Sequence, residues 1–180
     1  MNNYPWIPAM RCLLLSLLVC CLSANATAQQ TPNPMSSAYD AMLRGILSFA
    51  VPTITCAQLN AAQKTEQIIL LDAREPKEYQ VSHLAGAQNV GYDNFDIKKL
   101  KKIPKNSKIV VYCSVGYRSE KVGEKLQKAG YKNVQNLYGS IFEWINEGFP
   151  VVDATGKPTE NIHAFNKIWG VWLKKGRKVY

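Results

Sequence analysis

Two apolar runs, Ile68–Leu71 and Ile109–Tyr112, carry no polar residue between their ends. A strand wetted on one face would alternate; an unbroken run of this length fits a strand covered on both faces. Elsewhere the apolar spacing lengthens. Ser119–Ala129 places Val122, Leu126 and Ala129 at helical intervals and stops at Gly130. Glu75–Val81 opens with an acid and Pro76, both favourable in a first helical turn. Cys56–Gln63 and Ser140–Asn146 read as further helices, Thr53–Thr55 and Asn133–Leu137 as further strands. Strands alternating with helices predict an α/β domain with a parallel sheet covered on both faces.

The flanks read differently. Arg11 precedes the apolar stretch Cys12–Leu22, and Ala26-Thr27-Ala28 has the form read by signal peptidases. Residues 1–28 are therefore expected to be a cleaved export signal, which places the chain in the periplasm or outside the cell. The stretch is too short to span a bilayer, which needs about 20 residues. No stable membrane insertion is expected after cleavage; a retained N-terminal anchor is the alternative. Residues 29–52 read as a linker, Gln29–Ser37, and an amphipathic helix, Ala38–Ala50, ended by Pro52. In the extension 153–180, Thr159–Leu173 holds Ile162, Phe165, Ile168, Trp169 and Trp172 at helical spacing, followed by a basic tail. The spacing predicts a helix packed on the core; contact with a membrane surface is the other reading.

Composition narrows the class. The chain has 180 residues, 47% hydrophobic and 19% charged, enough apolar material for one domain without disulfide staples. The net charge of +9 falls by one with Arg11. Part of it lies in Lys98–Lys105 and in Lys174–Lys178, which read as solvated faces or as attractors of anions. Nucleic acid is a poor partner for an exported chain. Of five cysteines, Cys12, Cys20 and Cys21 leave with the signal, so Cys56 and Cys113 remain. They are expected to stay unpaired, because Cys113 stands where a free thiol is needed.

The chemistry centres on Val110-Val111-Tyr112-Cys113-Ser114-Val115-Gly116-Tyr117-Arg118-Ser119. A buried strand ends, a compact loop follows, and a helix begins. Ligand sites in open α/β sheets lie at such carboxyl ends. Successive N–H groups of the loop form an anion nest at the positive end of a helix dipole. That setting and Arg118 lower a cysteine pKa, whereas an apolar strand end alone would raise it. Gly116 lets backbone approach the sulfur, and Ser119 offers a helix cap and a hydroxyl.

These residues resemble the rhodanese family over roughly Thr53–Val152. One signature runs from Leu71-Asp72-Ala73-Arg74-Glu75 through Glu78-Tyr79 to His83-Leu84-Ala85-Gly86-Ala87 and Asn89. The other is the Cys113–Ser119 loop with Tyr138-Gly139, Trp144, Gly148 and Pro150. Ser82 and Ser140 stand where the family usually has glycine; both are small, and neither is expected to touch the sulfur site. The resemblance implies a three-layer α/β domain with a parallel β-sheet of about five strands flanked by helices on both faces. It also implies sulfur transfer through a persulfide on Cys113, with amides of residues 114–118 (Ser114, Val115, Gly116, Tyr117, Arg118) holding the anionic sulfur. The partners would be a thiosulfate-like anion as donor and cyanide or a thiol as acceptor. Arg118, or Tyr117, would contact the donor's anionic group.

Asp72 and Arg74 either line the cleft or form a buried ion pair that fixes the loop; the pair is favoured because buried charges need partners. His83 reads as a hydrogen-bonded scaffold residue. No cofactor or metal is expected, since no Cys/His spacing supports zinc. Two alternatives remain. A carrier or binding module would pass sulfur only to a dedicated partner. A phosphatase or arsenate reductase of the same fold would space its cysteine and arginine as C-x5-R, whereas Cys113 and Arg118 are spaced C-x4-R.

Overall fold

A computed structural model describes Met1 and residues 35–180. The expected signal and most of the linker lie outside the described residues. Ser36 accepts the Tyr39 amide and caps α1 (Ser37–Ile46). The helix stops short of the predicted Ala50, because Leu47 is already extended and Phe49 adopts a left-handed φ of 56°. Then follow β1 (Thr53–Ile54), α2 (Cys56–Ala62), β2 (Ile68–Asp72), α3 (Pro76–Val81) and β3 (Gln88–Asn89). After a 3-10 turn at Ile97–Leu100 come β4 (Lys108–Tyr112), α4 (Tyr117–Lys128), β5 (Asn133–Leu137) and α5 (Ser140–Asn146). Thr55 and Gln58 form a reciprocal capping box at α2, and α3 starts on Pro76.

Among the described residues the main sheet has five strands, all parallel, in the order β1-β5-β4-β2-β3. Leu70, Val110 and Tyr112 face one layer, with Leu43 of α1, Leu59 of α2 and Ile141 and Phe142 of α5. Leu71, Ile109 and Val111 face the other, with Val122 and Leu126 of α4. Each central strand is thus covered on both sides, which is why its sequence does not alternate. Cys56 belongs to the first layer and Cys113 to the second, and both thiols are free.

Topology sets the position of the site. From β4 the chain crosses by α4 toward β5; from β2 it crosses by α3 in the opposite direction, to β3. Since β2 and β4 are neighbours, the loops after them open side by side at a switch point of the sheet, where α/β folds bind ligands.

The predicted C-terminal helix does not form. Asn161–His163 is a strand, β6, paired in parallel with β7 (Arg177–Val179), and a 3-10 turn spans Trp169–Trp172. Two local features break the helix. Phe165 has a φ of 64°, and the Asn166 side chain accepts the Trp169 amide, starting a new turn. The stripe also fails to face one way, since Ile162 is fully buried while Ile168 is 77% exposed. Ile162, Ala164 and Leu173 nonetheless join the core layer of α1 and α5, and β6 packs against α3. Among the described residues no helix is long and apolar enough to cross a membrane.

Two consequences can be measured. Ile162→Ala should lower the unfolding free energy in urea by about 2–5 kcal/mol, the usual cost of emptying a buried isoleucine site; a loss below about 1 kcal/mol would show that the extension does not share the core. Glu147, at the end of α5, has its carboxyl pushed up to about 7 by burial and by neighbouring Glu143. The folded state therefore holds a proton that the unfolded chain has released. Stability should fall as pH rises from the ordinary glutamate range to about 7 and level off above it. Glu147→Gln should flatten that slope in denaturation curves taken across the window.

Candidate active site

β4 ends at Tyr112, and the chain turns at once into α4. Gly116 occupies the N-cap with a φ of 123°, a conformation that β-carbon residues rarely adopt. Gly116 has no side chain with which to cap the helix, and the amides of this first turn are directed to the Cys113 sulfur instead. The Gly116 amide donates to Cys113 Sγ at 3.1 Å. Burial pushes the Cys113 thiol up, but the charge of Arg118, the hydroxyl and amide of Ser119 and the amide of Gly116 outweigh it, and the net shift is downward. Only 1% of Cys113 is exposed; it forms part of the wall of a cavity of about 420 Å³ shared with Ile46, Ser114, Val115, Tyr117, Arg118, Phe165 and Trp169.

The predicted residues divide into three groups. Cys113, Ser114, Val115, Tyr117 and Arg118 line the cavity, and Gly116 supports the sulfur from behind. Arg118, expected to contact the donor's anionic group, lines the cavity with its charge paired to a carboxylate. Its Nη1 and Nη2 donate to Glu78 at 2.7 and 2.8 Å, and Nη2 also donates to Ser114 Oγ at 3.0 Å. Glu78 is fully buried and accepts the Ser114 hydroxyl and the Glu75 amide as well. Burial raises its pKa, yet the hydrogen bonds and charge of Arg118 leave it lowered overall.

Ser119 is not a cap, because it lies inside α4. Its hydroxyl sits 3.0 Å from the Gly116 carbonyl and 2.7 Å from Asn136 Oδ1, while the Asn136 amide also donates to Gly116 O. This bracing ties the turn to β5.

Asp72 and Arg74 form a fully buried pair. Arg74 Nε reaches both Asp72 oxygens at 3.0 and 3.1 Å, and Nη2 donates to Asp72 and to the Ser82 carbonyl. Neither residue lines the cavity. They fix the loop after β2, which Asn89 also holds through Arg74 O. His83 stacks on Tyr79 with centroids 3.7 Å apart and exchanges backbone hydrogen bonds with Val152.

Ser140 does touch the site, contrary to expectation. Its Oγ accepts the Cys113 amide at 3.0 Å, and its φ of 52° explains why glycine is usual there. Sequence reasoning also missed Glu78 as the partner of Arg118, and Ile46, Phe165 and Trp169 as walls. Glu78 could have been paired with Arg118 from the need of a buried carboxylate for a cation; no local signal marks the walls.

Comparison with known proteins decides the family. The model of the Rhodanese-like domain matches residues 55–147, just over half of the chain. The chain belongs to the rhodanese-like family. A sulfurtransferase of Allochromatium vinosum is 34% identical over 51% of this chain and 85% of its own length. A tRNA uridine(34) hydroxylase of Erwinia tasmaniensis is 30% identical over 54% of this chain, and the match spans only 31% of that protein. The fold is shared with a thiosulfate sulfurtransferase of Pseudomonas aeruginosa (TM-score 0.55, 19% identity, 64% of this chain and 23% of that one). Membership in this rhodanese-like family supports a transferase-type enzyme. Ile46, Phe165 and Trp169 lie outside the matched residues, so the rhodanese domain supplies the loop and its flanks supply much of the wall.

The thiol's environment is testable. Alkylation of Cys113 by iodoacetamide, followed by peptide mass spectrometry, should titrate below the value of about 8.5 for a free thiol. Arg118→Gln should raise the midpoint and, by orphaning Glu78, cost about 3–5 kcal/mol of stability. An unmoved midpoint in a folded variant would remove Arg118 from the account of the thiolate.

Proposed function

We propose that this rhodanese-like protein is a sulfurtransferase that carries a sulfane sulfur as a persulfide on Cys113. The observation that carries the reading is the Gly116 N–H directed at Sγ from the start of α4. Such a donor stabilises a thiolate before reaction and supports an extended anionic persulfide after it. With thiosulfate as donor, the Cys113 thiolate attacks the outer sulfur and a new S–S bond forms. The donor's S–S bond breaks, and its electron pair leaves with sulfite. An acceptor thiolate or cyanide then removes the outer sulfur and restores the Cys113 thiolate, which gives ping-pong kinetics.

Cys56 is a poor rival. It is buried in the opposite layer, and burial followed by the charges of Glu147 and Glu143 pushes its pKa well up. Intact mass spectrometry after thiosulfate should show one added sulfur in the wild type and none in Cys113→Ala. Sulfur on Cys56 instead would overturn the site. A persulfide that cyanide and small thiols cannot discharge would favour the carrier reading over turnover.

A further inference from the structure

The persulfide reading does not say why the cavity over Cys113 is so large or so apolar. Its volume of about 420 Å³ lies within the range of about 300–1,000 Å³ that holds small organic ligands. Ile46, Val115, Phe165 and Trp169 supply hydrocarbon walls, and Tyr117 adds a ring. Arg118 is the single charged residue among the lining, and its terminal nitrogens are engaged by Glu78 and Ser114. The Phe165 ring covers the guanidinium at 4.9 Å. A doubly charged inorganic donor would meet no unpaired cation on these walls, and burying charge without a partner is costly. The loop amides, by contrast, suit one anionic sulfur.

The aromatic wall is held in place deliberately. Phe165 keeps its left-handed φ of 64° between β6 and the 3-10 turn, with its amide donating to His163 Nδ1 at 3.1 Å. A residue with a β-carbon stays in that conformation only where its surroundings impose it. Phe165 is 42% exposed and lines the cavity.

We infer that this site, taken as the persulfide site proposed above, selects a sulfur donor with an apolar organic body, and that Phe165 and Trp169 set the preference. An organic thiosulfonate, R–SO2–S⁻, has the required form. The Cys113 thiolate attacks its terminal sulfur, and an S–S bond forms. The sulfur–sulfonyl bond breaks, and the electron pair leaves as the sulfinate R–SO2⁻. Two negative charges stand on each side, and no proton, oxidant or reductant is needed.

The test compares benzenethiosulfonate with methanethiosulfonate, which react through the same atoms. The ratio of their rates of Cys113 persulfide formation is divided by the same ratio for glutathione, to cancel intrinsic reactivity. The full chain should prefer the phenyl donor by at least about tenfold. Trp169→Ala and Phe165→Gly should each lower that preference; glycine suits the backbone at 165, so this variant is expected to fold. Calorimetry on Cys113→Ser with benzenesulfinate and methanesulfinate reads the pocket without sulfur transfer, and tighter phenyl binding is expected. Loading by both donors with a normalised ratio near one would overturn the pocket inference and leave the persulfide intact. No loading by any donor would defeat the persulfide reading, and the calorimetry would then decide the pocket alone.

Discussion

A carboxylate buried as deeply as Glu78 must collect cations and donors, and the site follows from how it does so. Its two oxygens take both ends of the Arg118 guanidinium, the Ser114 hydroxyl and the Glu75 amide. Those contacts join α3, which follows β2, to the loop and helix that follow β4. Two crossovers that leave the sheet in opposite directions are thereby tied together over the switch point. The turn around Cys113 cannot splay without unpairing a buried charge, which is far costlier than any single hydrogen bond in it. The ion pair thus fixes the geometry in which Gly116 meets the sulfur.

Opposing influences on the thiol explain why that rigidity matters. Burial alone would keep Cys113 protonated and inert, the condition of Cys56. The difference between the two lies in what surrounds them. Cys56 sits near Glu143 and Glu147, with only carbonyl oxygens for its S–H. Cys113 has a cation and amides turned toward it. The same low dielectric that penalises an unpaired thiolate strengthens these interactions.

Much of this was legible in the chain because the central strands and the loop are local patterns. Ile68–Leu71 and Ile109–Tyr112 declared double coverage, and the Cys113–Ser119 segment declared a strand-to-helix turn. β3 escaped notice since two polar residues, Gln88 and Asn89, carry no periodicity. The C-terminal stripe misled because aromatic spacing fits a helix even where Phe165 turns left-handed. The Glu78–Arg118 pair spans forty residues, and Ser140 reaches Cys113 across the gap between β4 and β5. Such contacts are set by topology, not by neighbours in sequence. Ser140 shows this most clearly. As a replacement for glycine it reads as neutral, yet it takes on backbone strain and its hydroxyl oxygen accepts the Cys113 amide.

The flanks also bear on the charge chemistry. β6 packs against α3, so the extension steadies the helix that carries Glu78. The Phe165 ring lies 4.9 Å from the Arg118 guanidinium, whose side chain is only 14% exposed. A guanidinium shielded in this way is screened less, and its field acts on Sγ with more of its strength. The segment that walls the cavity therefore helps set the state of the sulfur within it. A rhodanese-like domain without that segment would keep the loop's hydrogen bonds, but its arginine would face water and its thiolate would be held less firmly.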